Sequence, residues 1–115
     1  MQLTITAPWQ EFRAAVDLLH RARTRGHCPN ELDWAIAEEC LTPPLPCTEF
    51  TAHITTERAV RAAEAIIRCV EADLADLDHA TIKNALHLVV KLNSLVHLME
   101  TDPWGYWHLD RRPIH

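Results

Sequence analysis

The sequence predicts a mainly α-helical fold: a compact four-helix bundle with a long antiparallel helical hairpin at its C-terminal end. Two observations lead to this prediction. Only two of the 115 residues are glycine, which argues against a turn-rich β fold. Residues 78–102 form the longest apolar helical pattern, with two adjacent apolar rows that cover more than half of the helix circumference. We therefore expect other helices to pack on this one from at least two sides.

The chain length indicates one domain, 1–115, because 115 residues are enough for a single hydrophobic core. Three prolines between positions 43 and 46 end any helix and mark the clearest internal boundary. We expect N-terminal helices in 1–41, a proline-rich connector in 42–55, the helical hairpin in 56–101 and an aromatic tail in 102–115.

Two short segments, 2–6 and 48–54, alternate apolar and polar side chains. This alternation permits a small two-stranded β-ribbon. Each segment leads into a helix, and ITAPWQEFRAA at 5–15 is similar to ITTERAVRAA at 54–63. A repeated order of one strand and two helices would explain the similarity, but alanine and arginine account for most matches, so chance explains it better.

The first predicted helix begins after Thr6, a capping residue type, and ends at Gly26. The second runs from Asn30 to about Leu41. The third is capped by Thr55 or Thr56. The expected buried rows are Trp9, Phe12, Val16 and Leu19 on the first helix, Leu32, Ala35, Ile36 and Cys40 on the second, and the heptad row Val60, Ala63, Ile67, Val70, Leu74 and Leu77 on the third.

Charged residues of the third helix alternate in sign at spacings of four and three. Pairs at this spacing stabilise helices, so we expect an ion-pair ladder of Glu57, Arg61, Glu64, Arg68 and Glu71. Further acids at the end of this helix oppose its dipole, a modest cost that a basic partner would relieve. The alternative is a role in capping and turns. The acidic candidates for partner binding are Glu71, Asp73, Asp76 and Asp78.

The fourth helix carries two polar features. Asn93 falls inside the apolar arc, where a buried amide would fix the helix register or the pairing of a dimer. The polar strip Lys83, His87 and Lys91 lies outside the arc and is a second candidate contact for a partner.

The aromatic tail is the third candidate contact. Trp104, Tyr106 and Trp107 lie within four positions. Side chains of this size dominate interface energies when they are anchored, and they also serve to close a small core. Both roles stay open for the tail.

Histidine and cysteine residues raise the question of a metal. His27, Cys28, Cys40, Cys47 and His53 supply suitable ligand atoms, but they lack the close Cys-x-x-Cys or His-x-x-x-His spacing of zinc sites. We predict neither a metal nor another cofactor. Without an export signal, the four cysteines are expected to be free thiols in the cytoplasm.

Catalytic motifs give no better support for an enzyme. Arg21 and His27 have a spacing similar to the Arg-x4-6-His motif of the HEPN ribonucleases. The resemblance ends there, because Ala22 replaces the usual polar residue and Gly26 is expected to end the helix before His27. We predict that the protein is not an enzyme.

Charge and size favour a protein that acts by binding another protein. The formal net charge of −5 disfavours direct contact with nucleic acid, and no apolar run reaches the roughly 20 residues of a membrane span. We expect a cytoplasmic inhibitor or adaptor, similar in size and character to phage inhibitors of bacterial defence systems such as anti-CRISPR proteins. The alternative is a homodimeric regulatory or toxin-neutralising protein with the fourth helix as the dimer core.

Overall fold

The computed structural model describes residues 2–26, 31–42 and 48–101, and for residues 31 and 32 the backbone alone. This part of the chain is compact and mainly helical, with four helices and one two-stranded antiparallel sheet. The elements are β1 (Gln2–Pro8), α1 (Trp9–Thr24), α2 (Glu31–Ile36), β2 (Glu49–Thr55), α3 (Thr56–Ala72) and α4 (His79–Thr101). A π-helical turn, Ala37–Leu41, continues α2, and a 3₁₀ turn, Leu74–Asp76, follows α3.

The predicted β-ribbon is confirmed and is longer than expected. Strands β1 and β2 pair antiparallel from Gln2 opposite Thr55 to Pro8 opposite Glu49. Thr6 therefore belongs to the strand and does not cap α1; its Oγ1 lies 2.8 Å from Oγ1 of Thr51 across the ribbon. The inward side chains of β1 and β2 enter the core, as period-two alternation requires. The element order repeats one strand and two helices.

Helix α4 lies at the centre of the core, as its two apolar rows predict. It contacts α1, α3 and β1, and six of its side chains are buried: Ala85, Leu88, Val89, Leu92, Val96 and Met99.

Helix α1 ends near Gly26, as predicted. Gly26 has a φ of 77°, the left-handed conformation that glycine adopts readily, and α1 ends two residues before it.

The predicted buried row of α3 is only partly correct. Val60 is 37% exposed and Leu74 is 55% exposed, whereas Ala63 and Val70 are buried as expected. The buried face is rotated toward small residues, because alanine side chains allow neighbouring helices to approach α3 closely. This face consists of Ala59, Ala62, Ala63, Ala65, Ile66, Cys69 and Val70.

The predicted cap of α3 is confirmed, in contrast to that of α1. Thr55 caps α3, and its Oγ1 accepts a hydrogen bond from the backbone N–H of Arg58 at 3.3 Å.

A candidate membrane span is absent from the described residues, because no helix there combines the necessary length with the necessary apolar character.

Candidate interaction surface

Three carboxylate side chains are buried in the described part of the chain. Glu11 is 5% exposed, Asp33 2% and Asp73 6%. A buried charge is costly unless it is paired, and each of these carboxylates has basic partners on a different element. Together they engage a large share of the described basic residues: Arg21, Arg25, Arg61, Arg68 and Lys91.

Glu11 in the first turn of α1 binds Lys91 of α4. The Lys91 Nζ donates to both carboxylate oxygens at 2.7 and 2.9 Å. The Nδ1 of His87 lies 3.9 Å from one of these oxygens, too far for a hydrogen bond. Lys91 is therefore a link between two helices, which corrects its assignment to an outward polar strip. The sequence held a signal for this site, since Glu11 interrupts an apolar helical row that continues through Ala15 and Leu18.

Asp73 at the end of α3 binds the basic end of α1. The Nη1 of Arg25 lies 3.1 Å from Oδ1 of Asp73 and 3.5 Å from Oδ2 of Asp76. The Nε of Arg21 lies 3.9 Å from Oδ2 of Asp73. Asp73 and Asp76 are therefore paired with α1 within the fold, so basic residues of the chain itself already relieve the cost for which the sequence suggested a basic partner. Of the two residues with the Arg-x4-6-His spacing, Arg21 belongs to this ion-pair cluster and His27 lies outside the described residues.

Asp78 caps α4. Its carboxylate accepts hydrogen bonds from the Thr81 hydroxyl and from the Thr81 backbone N–H, the latter at 3.1 Å. The hydrogen bond from the Thr81 hydroxyl is the largest cause that lowers the pKa of Asp78 below its ordinary value of 3.8, and the hydrogen bond from the Thr81 backbone N–H is the second. This geometry agrees with the capping role that the sequence left open for the acidic cluster.

We expect the stability contributed by Asp78 to depend on pH. Because the folded pKa is lowered, the contribution is present above 3.8 and is lost as the pH falls through the folded value. Urea unfolding of Asp78→Ala and of the wild type should give different midpoints at neutral pH and the same midpoint once Asp78 is protonated in both states. A difference that persists in acid would contradict the capping role.

Asp33 on α2 binds two arginines of α3. The Nε of Arg61 lies 3.0 Å from Oδ1, and the Nη2 of Arg68 lies 3.2 Å from Oδ2. The predicted ion-pair ladder along α3 is therefore wrong. A buried carboxylate attracts guanidinium groups more strongly than an exposed glutamate does, because water screens it less.

The diverted arginines leave an exposed row on α3. Glu57, Glu64 and Glu71 are exposed, and none of their carboxylates has an ion pair or hydrogen bond with another described residue. Beside them lie Val60, Ile67 and Leu74, of which Ile67 is half-buried. The five of these residues that belong to α3 alternate at spacings of three and four and lie along one side of the helix, and Leu74 follows in the 3₁₀ turn just beyond its end. We call this surface the α3 stripe: Glu57, Val60, Glu64, Ile67, Glu71 and Leu74.

The outward face of α4 is a second exposed surface. Val90 is 61% exposed, and Lys83 nearby has no ion pair with any described residue. His87 is also exposed. Asn93 lies on this side too and is exposed, which corrects its predicted burial. The buried arc of α4 is centred near Leu92, and the next residue points about 100° away from it.

The remaining candidates from the sequence are the cysteines, a metal site and the aromatic tail. The Nη1 of Arg58 lies 3.8 Å from the Cys40 Sγ and 3.2 Å from Oε2 of Glu39, and the Cys40 thiol is the main cause that raises the pKa of Arg58 above its ordinary value. No group of three or more potential metal ligands occurs in 2–26, 31–42 and 48–101. Outside the described residues lie Cys28, Cys47, Trp104, Tyr106 and Trp107.

No protein-family model, curated protein or solved structure matches the chain.

Proposed function

We propose that the chain is a protein-binding module that acts stoichiometrically, as an inhibitor or adaptor, and without catalysis. The α3 stripe supports this proposal. Protein interfaces combine apolar groups at their centre with a polar rim, and contiguous exposed apolar side chains often mark such sites. Leu74 at 55% exposure and Val60 at 37% lie beside three carboxylates that have no described partner.

The proposed biological class is the set of small cytoplasmic inhibitors that phages and mobile elements direct at bacterial defence systems, of which anti-CRISPR proteins are an example. Its support is the chain's small size and its net charge of −5. The proposed arrangement is one domain, a four-helix bundle in which α3 and α4 form an antiparallel hairpin. The short connection between these helices and their mutual contacts support this arrangement.

A homodimer is the second candidate function, and the outward face of α4 supports it. Val90 is the most exposed of the large apolar side chains described. Leu86, one helical turn before it, is half-buried. Two such faces packed together would bury both side chains, as in a regulatory or toxin-neutralising dimer.

Affinity capture combined with light scattering tests both candidates. The tagged full chain should capture a bacterial protein and form a complex of fixed stoichiometry with it, and Leu74→Ala should weaken the complex while Val90→Glu should not. A wild-type dimer that Val90→Glu converts into a monomer would instead support the second candidate. A chain that is monomeric alone and captures nothing in stoichiometric amount would contradict both.

A further inference from the structure

We propose that the α3 stripe binds a basic amphipathic α-helix of a partner protein. This inference rests on the proposed protein-binding function and names the chemistry of the partner. Three features of the stripe support this inference. They are the spacing of its apolar side chains, the lack of ion pairs between its carboxylates and other described residues, and the binding of the neighbouring arginines to Asp33.

The spacing fits a helix. Val60, Ile67 and Leu74 are seven positions apart, and so are Glu57, Glu64 and Glu71. A seven-residue interval corresponds to roughly 10.5 Å along a helix, so the members of both rows that lie on α3 repeat once per heptad, and Leu74 follows just beyond the end of the helix. Two helices that pack side by side at a small crossing angle stay in register over such repeats. A partner helix of about three heptads would match the length of the stripe.

The negative charge of the α3 stripe requires a basic partner. Glu57 and Glu64 each have an arginine four positions later, the arrangement that favours an ion pair within a helix. Those arginines, Arg61 and Arg68, bind the buried Asp33 instead. The fold thereby leaves the glutamates available to a partner, whose lysine or arginine side chains would flank its apolar row. Nucleic acid is excluded as the occupant, because its phosphates would be repelled.

One end of the stripe continues onto α4. A surface depression there is lined by Thr56, Glu57, Val60 and Glu100. Glu100 is exposed and, like the glutamates of the stripe, has no ion pair with a described residue. It adds a further carboxylate beside Val60, so the negative rim extends around this end of the apolar row.

Binding of a synthetic peptide tests the inference. The probe is a labelled helical peptide of about three heptads with leucine at positions a and d and lysine at e and g; a second peptide carries glutamate in place of lysine. Fluorescence anisotropy at several salt concentrations measures affinity for the full chain. We expect the lysine peptide to bind with a salt-dependent affinity and the glutamate peptide not to bind. Backbone amide shifts should change along α3.

Matched variants separate the stripe from general charge attraction. Glu64→Gln with Glu71→Gln should weaken binding about tenfold, because each rim ion pair contributes a few-fold. Glu38→Gln with Glu49→Gln changes the net charge equally at exposed positions outside the stripe and should alter affinity less than about twofold. Thermal unfolding should be unchanged by the stripe substitutions, because neither glutamate has an intramolecular partner among the described residues.

Equal weakening by both pairs of substitutions, or amide shifts confined to other helices, would overturn the basic-helix inference. The same holds if the lysine peptide does not bind. The proposed function fails separately: it would survive if a captured protein depended on Leu74 but not on Glu64 and Glu71, and it would fall if no stoichiometric complex formed at all.

Discussion

Replacing Lys91 with methionine is expected to lower the free energy of unfolding by about 2 kcal/mol, between the values for exposed and fully buried ion pairs, because Glu11 is buried while 40% of the Lys91 side chain is exposed. Lys91 donates both hydrogen bonds described for the Glu11 carboxylate, at 2.7 and 2.9 Å. Without them the carboxylate remains almost buried, and His87 at 3.9 Å is too distant to replace them. Equilibrium unfolding in urea, monitored by circular dichroism, measures the loss.

Two controls make the result specific. Lys83→Met removes the same charge from the same helix, but Lys83 is exposed and has no ion pair with a described residue, so we expect a change below about 0.5 kcal/mol. Adding Glu11→Leu to Lys91→Met should restore most of the stability, because it removes the unpaired charge. Equal losses from Lys83→Met and Lys91→Met would show that the α1–α4 ion pair does not stabilise the fold.

Phe12→Ala is expected to lower the free energy of unfolding by about 3 to 5 kcal/mol, the range for a fully buried phenylalanine. Phe12 has no exposed surface, and its ring contacts Phe50 of the ribbon edge-to-face, with centroids 5.0 Å apart. Truncation leaves a cavity between α1 and the ribbon. Since domains are stable by about 5 to 15 kcal/mol, the urea midpoint should fall sharply.

Phe50→Ala is the matched control for Phe12→Ala. It removes the same ring contact, but Phe50 is only half-buried, so the loss should be clearly smaller. A loss from Phe50→Ala as large as that from Phe12→Ala would indicate that the ring contact, and not burial of Phe12, is the dominant contribution.

Local patterns predicted the elements of this fold well. Period-two alternation placed both strands, and Thr55, which caps α3, is one of the two threonines that the sequence predicts as its cap. The apolar rows of residues 78–102 placed α4 in the core. These features depend on residues near each other in the chain. The regular periods of helices and strands therefore make them predictable from a single sequence.

The candidate surface was only partly predictable. The glutamates and arginines of α3 were recognised, but local spacing paired them with each other. The structure pairs Arg61 and Arg68 with Asp33, about thirty positions away, and this exchange exposes the α3 stripe. Likewise, nothing near Asp73 in the chain indicates Arg25, which is 48 positions earlier.

The sequence by itself determined the four described helices, their order and the mainly apolar character of α4, and it permitted the two strands. Only the tertiary structure decided which charges are free. A helix pattern specifies which residues share a face, but an exposed ion pair contributes little, so a buried carboxylate on another helix outcompetes it. For that reason Asp33, Asp73 and Glu11 determine which charged side chains of the described residues remain without an ion pair.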